Sequence, residues 1–175
     1  MADPEPRKKS LHQGRFLEMF ERAGWEYVDR VGASGVVVIL ALTAENELVL
    51  VEQHRVPVGA SVIELPAGLA GDLPHARDED FCQAARRELL EETGYEAETI
   101  EVLCEGPPSA GLTSEIHTLL RATGIRKTGP GGGDESEDIT VHTISLDKLE
   151  DWLGQAAQRG CLIDPKIYAG LYFLR

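Results

Sequence analysis

At 175 residues, 42% of them hydrophobic, the chain is long enough for one domain with its own core. Its net charge of -13 argues against general nucleic-acid or anionic-membrane binding, which need a basic surface. A phosphorylated small substrate stays open, because a divalent cation reverses the local field where acids cluster.

The cysteines, Cys82, Cys104 and Cys161, are odd in number and far apart, with no Cys-x-x-Cys. That argues against a disulfide framework or a zinc site and fits a reducing cytoplasm. Residues 1–10 read as a polar, disordered tail with no signal-peptide core. Residues 11–175 read as a single domain. It opens with a short helix over 11–23 and a weakly alternating edge strand over 25–31. Residues 36–42, rich in β-branched side chains, predict a buried strand and are far too few to span a bilayer. Ala44, Glu45 and Asn46 form a turn, residues 47–53 return as a hairpin partner, and 62–65 form a short strand closed by Pro66, Ala67 and Gly68.

Residues 71–78 read as a loop and Phe81–Thr93 as a helix. Asp80 with Gln83 makes a capping box, and Gly94 is placed to end the helix in a left-handed conformation. Strands are expected near 99–104, 116–122 and 139–144, and helices over 146–158 and 165–174. Between Thr128 and Asp138 runs a glycine-rich acidic stretch that is expected to pack poorly. It is either a loose connection between strands or a lid carrying acids to a site. Mixed helices and strands in one domain give an α+β class.

The segment Arg87-Glu88-Leu89-Leu90-Glu91-Glu92-Thr93-Gly94 carries the chemistry. Residues three and four apart on a helix are neighbours, so Glu88 and Glu92 share a face with Glu91 one step round. At about 100° per residue, Glu88 and Glu92 flank the direction of Phe81 and Ala85, the side that faces the core. Like charges aimed at the protein repel and need compensation. A hard cation with oxygen ligands is one answer, and magnesium typically takes one or two carboxylates plus substrate phosphate. Pairing with Arg86 or Arg87 is the other.

With its flanks, this segment resembles the Nudix box, G-x5-E-x7-R-E-U-x-E-E-x-G-U, where U is bulky and apolar. Glu79, Arg87, Glu88, Leu89, Glu91, Glu92, Gly94 and Tyr95 fill its positions, and Gly68 fills the leading glycine, with positions 69–78 in place of five residues. Gln53-His54-Arg55, Glu64-Leu65-Pro66-Ala67-Gly68 and the acidic run ahead of Ile139 are typical of the ADP-ribose and nucleotide-sugar branch. Ser109-Ala110-Gly111 stands where many of that branch carry Ser-Pro-Gly, which leaves other nucleotide sugars open beside ADP-ribose.

The resemblance implies an α/β/α sandwich with a mixed parallel and antiparallel sheet. It implies magnesium, with manganese as a substitute, held by Glu88, Glu92, Glu137 and the carbonyl of Ala67. Glu91 would bind a further ion or support the first, and Glu135 would be the general base. Gly68, Glu79, Arg87 and Gly94 would keep the box in shape. Arg87 would orient a box glutamate or bind phosphate. Arg55 would clamp the diphosphate or lie free on the surface, and Glu115 would touch substrate. Trp25, Trp152 and Tyr168 read as core or interface residues. The branch also implies a homodimer in which residues 11–32 exchange between subunits. The implied activity is hydrolysis of a pyrophosphate bond in a nucleoside diphosphate linked to another moiety. The competing readings are a nucleotide sensor that binds without cleaving and a calcium-binding structural protein. The second lacks the D-x-D-x-D-G loop.

Overall fold

The segment expected to open with a helix forms strands instead. β1 (Lys9–Gln13), β2 (Leu17–Arg22) and β3 (Trp25–Arg30) make an antiparallel sheet in that order. Phe16, Leu17, Met19 and Phe20 satisfy a helical spacing, so the local pattern is ambiguous. Cross-strand pairing decides it: Met19 lies opposite Val28, and Phe20 opposite Tyr27 with ring centroids 5.8 Å apart. Gly14 N–H donates to the Leu17 carbonyl at 2.8 Å and turns β1 into β2. β1 begins inside the segment expected to be a tail, and Lys8 already pairs with Asp29 at 3.2 Å. This computed structural model describes residues 7–72, 79–133 and 137–175.

The next strands are β4 (Gly35–Ala41), β5 (Glu47–Arg55), β6 (Ala60–Glu64) and β7 (Ala67–Ala70). Helix α1 (Phe81–Thr93) follows, then β8 (Tyr95–Glu96), β9 (Thr99–Gly106), β10 (His117–Thr123), β11 (Arg126–Lys127) and β12 (Ile139–Ser145). A 3-10 turn (Leu146–Lys148) leads into α2 (Leu149–Gln158), β13 (Leu162–Ile163) and α3 (Pro165–Tyr172). One four-stranded sheet has the order β7-β4-β10-β9 and the other β12-β5-β6-β13, while β8 and β11 pair by themselves. β4–β10 and β6–β13 are parallel and the remaining pairs antiparallel, so both sheets are mixed as expected.

The unbroken apolar run of β4 is explained by what covers its two faces. Val37, Ile39 and Ala41 pack with Ala84, Ala85 and Leu89 of α1. Val36, Val38 and Leu40 point the other way, into a cluster with Leu149, Leu153 and Ala156 of α2 and Ile167 of α3. Burying each of the larger side chains contributes about 1.5–3 kcal/mol. The result is the expected helix–sheet–helix layering. Trp152 packs against the second cluster, whereas Trp25 is 67% exposed and Tyr168 is exposed on α3.

Helix α1 has the ends its sequence predicts. Gln83 N–H donates to the Asp80 carboxylate at 2.8 Å and the Gln83 side chain accepts from Asp80 N–H at 3.2 Å, which closes the capping box. Gly94 stands at φ 70° and sends its N–H to the Leu90 carbonyl. Because α1 presents Ala84, Ala85 and Leu89 to β4 and β10, Glu88 and Glu92 are carried to the edge of that buried stripe, over β7.

Candidate metal and phosphate site

Two box glutamates lie where the helical spacing puts them. Glu92 is 3% exposed, and its carboxylate accepts from Ala67 N–H of β7 at 3.0 Å. Glu88 lies across Gly68, where an added Cβ would fall inside its carboxylate. Only glycine lets β7 pass that close, so the box glycine is a space for Glu88 rather than a turn. The third box glutamate behaves differently: the Glu91 side chain is 53% exposed and leans on Arg87 at 3.2 Å.

Arg87 sits among these acids. Its Nε donates to Glu79 at 3.2 Å and one Nη to the same carboxylate at 3.0 Å, a two-pronged pair that fixes the guanidinium plane. That Nη also donates to the Leu69 carbonyl at 2.9 Å, and the other donates to Glu88 at 2.8 Å. Burial works against the Arg87 charge, yet Glu79 and Glu88 outweigh it and hold the group well above its ordinary range. Arg87 is therefore occupied by protein groups, Glu88 among them. Arg87→Lys keeps one charge but cannot span Glu79, Leu69 and Glu88 together. We expect catalytic efficiency to fall about ten- to a hundredfold with the fold retained, checked by steady-state kinetics beside a circular dichroism spectrum.

The electrostatics leave negative charge uncompensated. Burial pushes the Glu88 carboxyl up to about 6, against the pull of Arg87. Burial pushes Glu92 further, to about 8; the Ala67 N–H and Arg55 oppose this, while Glu88 and Glu137 add to it. The structure thus brings Glu88, Glu137 and Arg55 within electrostatic reach of Glu92. Arg55, its side chain 42% exposed, is held at Nε by the buried Glu64 at 2.7 Å.

This donor set fits an open site for a hard cation. Among the described residues no three His, Cys, Asp or Glu side chains converge as a cage. Two adjacent carboxylates with raised proton affinity, one of them packed on Ala67, offer the one or two protein oxygens that magnesium typically takes alongside water and phosphate. Glu135 lies outside the described residues. Glu115 is tied elsewhere: it pairs with Arg30 and accepts from or shares a proton with His117 Nε2 at 3.0 Å. Its backbone neighbours in the 109–114 turn bond to β3 of the N-terminal sheet through Val28 N–H to the Leu112 carbonyl at 2.9 Å.

Glu64 was not singled out from sequence. It is joined to Arg55 across the β5–β6 hairpin, and the available signals were its place at the head of the Glu64-Leu65-Pro66-Ala67-Gly68 segment and its position as an acid ending a mostly apolar strand. Part of the glycine-rich stretch expected to pack poorly does pack, since residues 129–133 lie on the end of α1. Gly132 N–H donates to the Glu92 carbonyl at 2.8 Å and Gly133 N–H to the Glu91 carbonyl at 3.1 Å.

The NUDIX domain model matches residues 33–163, which is most of the chain and spans every element of the site. The chain belongs to the NUDIX family. Among relatives of this NUDIX chain is the methanol dehydrogenase activator of Bacillus methanolicus, 40% identical over 68% of this chain and 62% of that protein. The ADP-sugar pyrophosphatase of Mus musculus is 34% identical over 78% of this chain and 64% of its own length. The ADP-ribose pyrophosphatase of Mycobacterium tuberculosis is 36% identical over 61% and 50%. The chain therefore spans half to somewhat under two thirds of these relatives. The crystal structure of an ADP compounds hydrolase superposes with a TM-score of 0.64 at 21% identity, covering 88% of this chain and 85% of that one, and supports the fold.

Proposed function

We propose that this NUDIX chain is a divalent-metal-dependent pyrophosphohydrolase. Its substrate would be a nucleoside diphosphate linked to another moiety, with ADP-ribose cleaved to AMP and ribose 5-phosphate as the leading case. The observation that carries this reading is the placement of the buried Glu92 on Ala67 N–H and the half-buried Glu88 across Gly68, with burial pushing both carboxyls up. Relatives named as ADP-ribose and ADP-sugar pyrophosphatases support the substrate class.

Magnesium, with manganese as its substitute, would be held by Glu88, Glu92, Glu137 and the Ala67 carbonyl, with Glu91 at its edge. When bound it would neutralise charge on the diphosphate and lower the pKa of water at the site. Arg87 keeps Glu88 aimed across Gly68. Arg55, braced by Glu64, offers its Nη groups to phosphate oxygens. Glu135 takes the proton of the attacking water, a contribution of about a hundred- to ten-thousandfold. Glu115 contributes to substrate selection through the 109–114 turn it anchors. The free state of Cys82, Cys104 and Cys161 suits a cytoplasmic setting. A homodimer through residues 11–32 would cover Phe16, Leu17 and Trp25, which lie exposed on the N-terminal sheet; sedimentation as a monomer would dispose of it.

The test is turnover on ADP-ribose, ADP-glucose, GDP-mannose, UDP-glucose, NADH and diadenosine polyphosphate, with magnesium and with chelator. Magnesium-dependent cleavage that peaks at ADP-ribose is expected. Peak cleavage of another sugar nucleotide would move the specificity, and tight binding without cleavage would make the chain a nucleotide sensor.

A further inference from the structure

An α-helix ends with four carbonyls that have no partner inside it, and the end of α1 carries the box glutamates. Here all four are satisfied. The Leu90 carbonyl accepts from Gly94 N–H at 2.8 Å, Glu91 from Gly133 N–H at 3.1 Å and Glu92 from Gly132 N–H at 2.8 Å. The Thr93 carbonyl accepts from Lys127 Nζ at 2.5 Å. The same Nζ donates to the Pro130 carbonyl at 3.3 Å and lies 4.9 Å from the Tyr95 ring centroid. Thr128 N–H and Gly129 N–H both reach the Gly94 carbonyl, at 2.8 and 3.1 Å.

One strap of chain, from Lys127 to Gly133, therefore caps the catalytic helix. The glycines are what permit the approach. A Cβ at Gly131 would fall within the Thr93 backbone, and one at Gly94 would fall on the Gly129 carbonyl. Paired strands flank the strap: Lys127 pairs with Tyr95 between β11 and β8, and β12 pairs with β5 from Ile139 onward. Glu137 lies against the end of the strap, where a Cβ at Gly133 would fall on its side chain, and its charge bears on Glu92.

We propose that Lys127 is a positioning residue for the site. It links Thr93, at the end of the box helix, to Pro130, in the middle of the strap, and so sets where Glu137 stands relative to Glu92. Its positive charge also suits the negative end of the α1 dipole. Lys127 need not touch substrate, and it is exposed, so its loss should not prevent folding. The role of Glu137 as a ligand rests on the proposed function, whereas the clamp itself rests on the bonds above.

The test compares Lys127→Met with Lys127→Arg in the full chain. Three readouts are taken: kinetics on the best substrate of the panel, magnesium affinity by calorimetry without substrate, and amide hydrogen exchange over residues 129–133. For Lys127→Met we expect faster exchange, magnesium affinity and kcat each lowered about ten- to a hundredfold, and KM within about twofold. Lys127→Arg should restore most of both losses, since it keeps a cationic donor at the cap. Gly131→Ala, which pushes the strap off the helix, should reproduce the Met phenotype. Unchanged exchange in Lys127→Met would overturn the clamp. Faster exchange with wild-type kcat and magnesium affinity would overturn the positioning role and leave an ordinary helix cap. If the wild-type chain cleaves nothing, the function reading fails by itself, and magnesium affinity with exchange still decides for or against Lys127.

Discussion

Replacing Glu92 with Gln is expected to lower kcat/KM by about a hundred- to a thousandfold, the scale seen when a group that stabilises developing charge is removed. The same substitution is expected to make the metal-free protein more stable at neutral pH. The two effects share one cause. Glu92 is 3% exposed and has one backbone donor, Ala67 N–H at 3.0 Å. A carboxylate there is poorly solvated and faces Glu88 and Glu137, which is why its proton affinity lies at about 8. Gln keeps the size and the oxygen that accepts from Ala67, while it spares the folded chain from having to hold a proton on a carboxylate at neutral pH. Carrying Glu92 from an ordinary 4.5 to about 8 costs the folded state on the order of 3 kcal/mol at pH 7. Relieving it should raise the melting temperature in chelator by roughly 5–10 °C for a chain of this size. Glu88→Gln should show a smaller stability gain, because Arg87 already offsets part of its burial. Full activity of Glu92→Gln at ordinary magnesium would remove Glu92 from the site. A lower melting temperature without metal would mean that the carboxylate is well compensated in the folded chain.

The parts of this site that were legible in the sequence are those fixed by neighbours a few residues away. Asp80, Gln83 and Gly94 mark both ends of α1 within its own segment, and helical spacing puts Glu88 and Glu92 on the face beside Ala85. The β-branched run of β4 likewise announces a strand buried on both faces. What stayed illegible depends on partners far along the chain. Residues 129–133 read as too glycine-rich to pack, because the surface they pack on, the last turn of α1, is remote in sequence. Their glycines mark close approach, which composition alone does not separate from looseness. Residues 11–23 satisfy a helical pattern, and only the pairing of β1 with β2 and of β2 with β3 makes them strands. The Glu64–Arg55 pair depends in the same way on the β5–β6 hairpin. Of the acidic residues ahead of β12, Glu137 bears on Glu92 and Glu135 lies outside the described residues.

Metal-free protein is expected to lose stability as pH rises, between about 4.5 and about 8, the reverse of the usual carboxylate trend. The sign follows from where the proton sits. Below pH 4.5 Glu92 is protonated in both the folded and the unfolded chain, and the site costs nothing. Above that, the unfolded chain releases the proton while the folded chain keeps it, so the unfolded state falls in free energy relative to the folded one with every further unit of pH. The loss levels off near pH 8, where the folded Glu92 ionises too. Glu88 acts in the same direction over a narrower window that closes near pH 6. Asp29 and Glu115 shift the other way, held down by Lys8 and Ser114 and by Arg30 and His117 against their burial. Their contribution is lost only as pH falls through the acid range, so it does not mask the trend at neutral pH. Magnesium should oppose the fall, since it binds the ionised carboxylates and must displace their protons. Melting curves from pH 5 to 9 in chelator should therefore slope downward, and curves in magnesium should separate from them increasingly toward pH 8. Calorimetry in two buffers of different ionisation enthalpy should register proton release on magnesium binding at pH 7, and Glu92→Gln should both flatten the chelator curve and abolish most of that release. A chelator curve that rises across this range would mean that Glu88 and Glu92 are already ionised in the folded chain. The cation would then bind a site whose charge is balanced from within, and its binding would owe little to the burial of those two side chains.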